Sequence, residues 1–123
     1  MLSVRHLIAP GIALAALEVA AGQCVAVMGP SGAGKTRLLR ALADLDPNRG
    51  EISIAGVERS AVSGPAWRRL VGYVPAESGW WAERVGAHFA EPRRAEALLA
   101  EMLLPPEVLE WPTARLSSGE RQR

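Results

Sequence analysis

The sequence predicts an α/β fold organised around a phosphate-binding loop, and three observations carry that prediction. Gly29-Pro30-Ser31-Gly32-Ala33-Gly34-Lys35-Thr36 has the spacing glycine, four residues, then Gly-Lys-Thr. An apolar run, Val25-Ala26-Val27-Met28, leads into it, and the helix-forming stretch Arg37-Leu38-Leu39-Arg40-Ala41-Leu42-Ala43 leads out. Upstream, two short apolar segments flank Pro10-Gly11, as the strands of a hairpin would.

The loop residues suit an anion. Glycines let consecutive backbone N–H groups turn inward with no Cβ in the way, and the following helix directs its positive end at the same point. The expected guest is a triphosphate, held by Gly29, Pro30, Ser31, Gly32, Ala33, Gly34, Lys35, Thr36 and Arg37. Lys35 brings a mobile positive charge to the outer phosphates, and the Thr36 hydroxyl is the expected ligand of Mg2+. Lys35 is the only lysine among fourteen Lys and Arg residues, so a chain that otherwise uses arginine has the compact ammonium where the loop needs it.

Composition narrows the alternatives. With 123 residues the chain is long enough for one modest domain, and 49% apolar with 22% charged residues is globular, not disordered. A net charge of +1 offers no electrostatic basis for binding nucleic acid. Cys24, the single cysteine, excludes an intramolecular disulfide and is expected to pack as a small apolar residue. Residues 5–24 resemble a secretory signal, but Pro10-Gly11 and Glu18 break the apolar run and Gln23 is too large for the residue before a cleavage site. A soluble, cytoplasmic chain is expected.

In chain order, Ser3 to Ile8 and Ile12 to Val19 read as the hairpin, the second strand burying Ile12, Leu14 and, less regularly, Leu17 and Val19. Gln23 to Met28 reads as the strand feeding the loop. A helix is expected from Lys35 to about Leu45, burying Leu38, Leu39, Leu42 and Leu45, and stopped by Asp46-Pro47-Asn48-Arg49-Gly50. Glu51 to Ile54 and Val57 to Ser60 read as paired strands around Ala55-Gly56. Ser63-Gly64-Pro65 should start a short helix, and Val71 to Val74 should be a buried strand ended by Pro75. Beyond it come a short helix at Val85 to Phe89, a firmer one from Pro92 to Leu103 with Ala95, Leu98, Leu99, Met102 and Leu103 inward, and a last turn at Glu107 to Glu110.

Leu116-Ser117-Ser118-Gly119-Glu120, followed by Arg121-Gln122-Arg123, reads locally as a helix start, with Ser117 as cap and Glu120 three residues on. In a chain with this phosphate loop it also resembles the Leu-Ser-Gly-Gly-Gln signature of the ABC ATPases. Pro47 to Ile52 with Ala55-Gly56, and Trp67 to Pro75, resemble that family's segments after the loop helix and before its Q-loop. The resemblance covers nearly the whole chain in order. It implies a P-loop NTPase with a RecA-like core and an N-terminal antiparallel β subdomain over 1–75, then the Q-loop region and the start of an α-helical subdomain over 76–123. It further implies pairing with a second ABC ATPase domain, whose nucleotide Leu116, Ser117, Ser118, Gly119 and Glu120 would meet. A transmembrane permease would hold the protein at the inner face of the cell membrane, with no nucleic acid partner.

The chain departs from the family in several places. The Q-loop glutamine is replaced by Ala76, leaving Glu77 as the candidate metal ligand one residue on. No Phe, Tyr or Trp precedes Gly29 to stack on adenine, and His6 is the imperfect substitute. Trp80-Trp81 suits either a permease docking site or a helical core. The family's Walker B acid, catalytic glutamate and switch histidine all lie beyond its signature. The resemblance therefore implies the N-terminal half of an ATPase domain, lacking the later core strands and unable to turn over ATP alone. A small-molecule kinase and a non-catalytic nucleotide-binding module are the alternatives, the first leaving Leu116 to Glu120 unexplained; an ABC ATPase with a non-transport task is a third.

Overall fold

The computed structural model describes residues 1–77 and 79–123. The chain is α/β and divides into two compact units, Met1–Tyr73 and Val74–Arg123.

The first unit is built on an antiparallel sheet of order β2-β1-β3-β4, with β1 at Leu2–Ala9, β2 at Ile12–Val19, β3 at Arg49–Ile54 and β4 at Val57–Glu58. The hairpin forms where Pro10-Gly11 predicts it. Its irregular alternation has a cause in β1, where His6 has φ 50° and the buried residues run Val4, Leu7, Ala9. The β1–β3 register shifts between Arg5 and Ile8, so β1 carries one extra residue there. Gly50 opposes that bulge, and a Cβ on it would lie 2.6 Å from the His6 carbonyl oxygen. The inner face of the sheet packs Val4, Leu7, Ala9 and Ile52 against Ala41 and Leu42 of α1 (Lys35–Leu42) and Trp67 of α2 (Gly64–Leu70). As expected, Ser63 caps α2, its hydroxyl accepting the Ala66 N–H.

In the second unit α3 spans Pro92–Glu101 and α4 spans Ser118–Gln122. 3-10 turns at Val85–His88, before α3, and at Pro106–Glu110, after it, stand where helical turns were expected, and a third occupies Thr113–Arg115. Val85, Leu99, Leu104, Val108 and Leu116 make its core, with Trp80, Phe89 and Trp111 packed around it.

Five expectations need correction. Neither Gln23–Met28 nor Val71–Val74 is a strand; neither finds a ladder partner among the described residues, and Met28 and Val74 are each 86% exposed. Cys24 shares the exposure of its segment. The first helix ends at Leu42, because Asp44 takes φ 55° and the Leu45 N–H closes back on the Arg40 carbonyl, leaving Leu39 and Leu45 partly in solvent. Leu103 does the same to α3, with φ 56° and the Leu104 N–H on the Leu99 carbonyl, so Leu104 turns inward while Leu98, Met102 and Leu103 face out.

Candidate phosphate-binding site

The loop between Met28 and α1 turns on glycines at left-handed φ: Gly29 at 151°, Gly32 at 82° and Gly34 at 91°. Gly34 is the N-cap of α1 and has no side chain with which to satisfy the first N–H groups of the helix. Those donors, with the positive end of the helix dipole, stay directed at the loop. Ser31, Gly32, Gly34, Lys35, Thr36 and Arg37 line an open cavity of about 340 Å3. Lys35 Nζ reaches back to the carbonyls of Gly29 and Pro30, at 2.8 Å each, which holds the ammonium over the loop. The sequence assigned these residues to one anion site, and the fold brings them to one cavity.

The hairpin turn supports the loop from one side. A Cβ on Gly34 would collide with Ile12 Cδ1, and Arg37 Nη1 donates to the Pro10 carbonyl at 3.4 Å. The far end of α1 is fastened as well. Trp67 Nε1 donates to the Leu42 carbonyl at 2.9 Å from a fully buried ring, and Asn48 Nδ2 donates to Ala41. Asp46 accepts two bonds from Arg40, at 2.7 and 2.8 Å, which hold its carboxyl below the usual carboxylate range. Arg59 pairs with Asp44 at 3.1 Å, and Arg68 donates to the Asp44 carbonyl. Both aspartates therefore act in the helix end.

In the second unit, Ser117 Oγ accepts the Glu120 N–H at 3.3 Å and the Glu120 carboxylate accepts the Ser117 N–H at 2.8 Å, the capping box expected of those residues. The bond from the Ser117 backbone, then that from its hydroxyl, hold the Glu120 carboxyl below its ordinary range.

A family model described as ABC transporter matches residues 14–123, which takes in both the loop and the capped segment. The chain belongs to the ABC transporter family. Among its relatives, an aliphatic sulfonates import ATP-binding protein of Rhizobium johnstonii is 41% identical, over 87% of this chain and 42% of the relative. An Fe(3+) ions import ATP-binding protein of Rhodococcus jostii is 40% identical, over 88% and 34% respectively. Another Fe(3+) ions import ATP-binding protein, of Pseudomonas fluorescens, is 35% identical over 93% and 36%. The chain thus spans between about a third and about two fifths of the length of these curated relatives.

Against that family, Ala76 and Glu77 are both exposed and line a cavity of about 320 Å3 with Ser118, Arg121 and Gln122. His6 is exposed at the bulge of β1. The tryptophan pair divides between its two readings. Trp80 is half-buried against the core of its unit, whereas Trp81 is 79% exposed. His88 lies edge-on to both rings; its Nε2 accepts the N–H groups of Trp81 and Ala82, and its Nδ1 meets the carbonyls of Arg84 and Val85 at 3.1 Å. A ring with its proton on Nδ1 satisfies those contacts. No sequence signal marked His88, because its partners are backbone groups.

Proposed function

We propose that this chain is the ATP-binding part of an ABC transporter subunit. In this reading residues 1–75 form the nucleotide-binding core and residues 76–123 the Q-loop region and helical subdomain as far as the signature. The observation that carries it is the single cavity formed by Ser31, Gly32, Gly34, Lys35, Thr36 and Arg37 at the start of α1, in a chain of this family.

The residues fit a magnesium-bound triphosphate. The N–H groups of Ser31, Gly32, Gly34, Lys35 and Thr36 at the helix end receive phosphate oxygens, with Gly29, Pro30 and Ala33 shaping the turn, the Ala33 N–H closing on the Pro30 carbonyl. Lys35 exchanges the carbonyls of Gly29 and Pro30 for the outer phosphates, one set of oxygens for another. When bound, magnesium neutralises charge on the phosphates. Thr36 offers it one hard oxygen, in keeping with an ion that takes few protein ligands.

Ser117 and Gly119, flanked by Leu116, Ser118 and Glu120, act on the nucleotide of a second ATPase domain, through the Ser117 hydroxyl and backbone N–H groups. A permease subunit holds the assembly at the inner face of the membrane, and exposed Trp81 is an anchor for it. Among the described residues no helix is long and apolar enough to cross a membrane. The relatives' names support import, but name two unlike cargoes at similar identity, so the cargo is left unassigned.

Calorimetric titration with MgATP tests the reading. Lys35→Ala should weaken ATP binding by roughly 100-fold, since hydrogen bonds between charged groups are lost. Equal affinity in wild type and variant would overturn it.

A further inference from the structure

Among the described residues β2 borders the sheet of the first unit, paired with β1 on one side only. The opposite border is β4, two residues long, which offers another chain little to pair with. β2 offers eight residues, Ile12–Val19, with no proline and a single charge at Glu18. The N–H and C=O groups on its outer side form a template for a further strand.

The sequence of this border is matched to itself. Read outward from the point between Ala15 and Ala16, its residues fall into pairs: Ala15 with Ala16, Leu14 with Leu17, Ala13 with Glu18, and Ile12 with Val19. Burial repeats the match. Ile12, Leu14, Leu17 and Val19 are half-buried, the first three against the core, while Ala13, Ala15, Ala16 and Glu18 are exposed. In a regular strand Leu14 and Leu17, three residues apart, would face opposite ways. Here they share a face, because β2 shares the irregularity of β1 at His6. The two strands stay in step on either side of it, with Arg5 opposite Ala16 and Leu7 opposite Leu14.

We propose that β2 is a contact between two copies of this chain, paired β2 against β2, antiparallel, about a twofold axis that passes between Ala15 and Ala16. Each half-buried residue then meets another, Leu14 against Leu17 and Ile12 against Val19, and the inner faces of the two sheets become continuous. The β1–β2 pair already shows that two strands irregular at the same point stay paired on both sides of it. Glu18 faces an alanine, Ala13 of the second copy. The two Glu18 carboxylates stand five residues apart along the ladder, roughly 17 Å, which is beyond the reach of their repulsion at physiological salt. A second copy fits this border better than an unrelated strand does, because the match is to its own sequence. The contact uses neither Lys35 nor Ser117, so it is separate from the nucleotide-dependent pairing proposed above.

Sedimentation equilibrium of the 123-residue chain without nucleotide tests this. A monomer–dimer equilibrium is expected, with a dissociation constant on the order of 10–100 μM for so small an interface. Amide exchange in residues 12–19 should slow as concentration rises, and that in residues 57–58 should not. Ala13 is exposed and lies opposite Ile8 in its own sheet, so its substitution leaves the core of the monomer alone. Ala13→Lys should tighten the dimer about tenfold, by setting an ammonium against Glu18 of the other copy at two symmetric places, and Ala13→Glu should weaken it about tenfold. Adding Glu18→Lys to Ala13→Glu should restore the dimer. Lys35→Ala should dimerise as the wild type does, which keeps this contact distinguishable from the loop reading. A chain that stays monomeric to about 1 mM would overturn the proposal. So would a dimer indifferent to the sign of the charge at residue 13, or an association that does not stop at two copies.

Discussion

Two kinds of apolar segment occur in the first unit, and they meet different ends. β1 and β3 bury Val4, Leu7 and Ile52 almost completely, because each strand has a neighbour for its N–H and C=O groups and a helix over its inner face. Gln23–Met28 carries Val25, Val27 and Met28 in an equally apolar run, yet all three are exposed. Side-chain character alone does not make a strand. The backbone polar groups of an extended segment must also be paired, and a segment without a ladder leaves its apolar side chains without a layer to enter.

The largest effect expected from this contrast is on stability. In urea unfolding of the 123-residue chain, Ile52→Ala should cost about 2–5 kcal/mol. Val27→Ala should stay within about 0.5 kcal/mol. Equal costs would break the comparison, since they would mean that Val27 is packed as Ile52 is.

A smaller effect sharpens it within the sheet. Gly50→Ala places a methyl against the His6 carbonyl at φ 119°, whereas Gly22→Ala, at φ 76°, meets nothing within 4 Å. The first should lower stability by about 3 kcal/mol, combining collision and strain, and the second by about 1 kcal/mol. Thermal unfolding distinguishes them. A Gly50→Ala protein as stable as wild type would mean that β1 and β3 do not approach as described.

The smallest effect concerns the second unit, where α4 is held by its cap. The carboxyl of Glu120 is held below its ordinary range, so the capping box contributes fully above the ordinary glutamate pKa and is lost as pH falls through the lowered one. Backbone chemical shifts of residues 117–122 should stay helical at pH 5 and move toward coil below about pH 4. Glu120→Gln should remove that pH dependence. Persistence of the dependence in the variant would assign it to another group.

What the sequence made legible was local chemistry. Pro10-Gly11 marked the hairpin, Ser63 the start of α2, and Ser117 with Glu120 the capping box. The glycines and Lys35 marked the phosphate loop. What stayed hidden depended on neighbours distant in sequence. Gln23–Met28 and Val71–Val74 have strand composition, but pairing is not written in composition. Asp44 and Leu103 end their helices in left-handed conformations that glycine usually takes, so the early ends of α1 and α3 carried no sequence mark.

The fastening of α1 at both ends makes the helix its own reporter. Its first turn borders the phosphate cavity, and its last carbonyls hold the indole N–H of Trp67, the one tryptophan before residue 80. That indole is fully buried, so its emission depends on the peptide dipoles at the end of α1 and not on water. With Trp80, Trp81 and Trp111 replaced by phenylalanine, the fluorescence of Trp67 becomes an optical gauge at one end of an eight-residue rod whose other end borders the phosphate-loop cavity. Events at the loop can then be followed in real time without an added label.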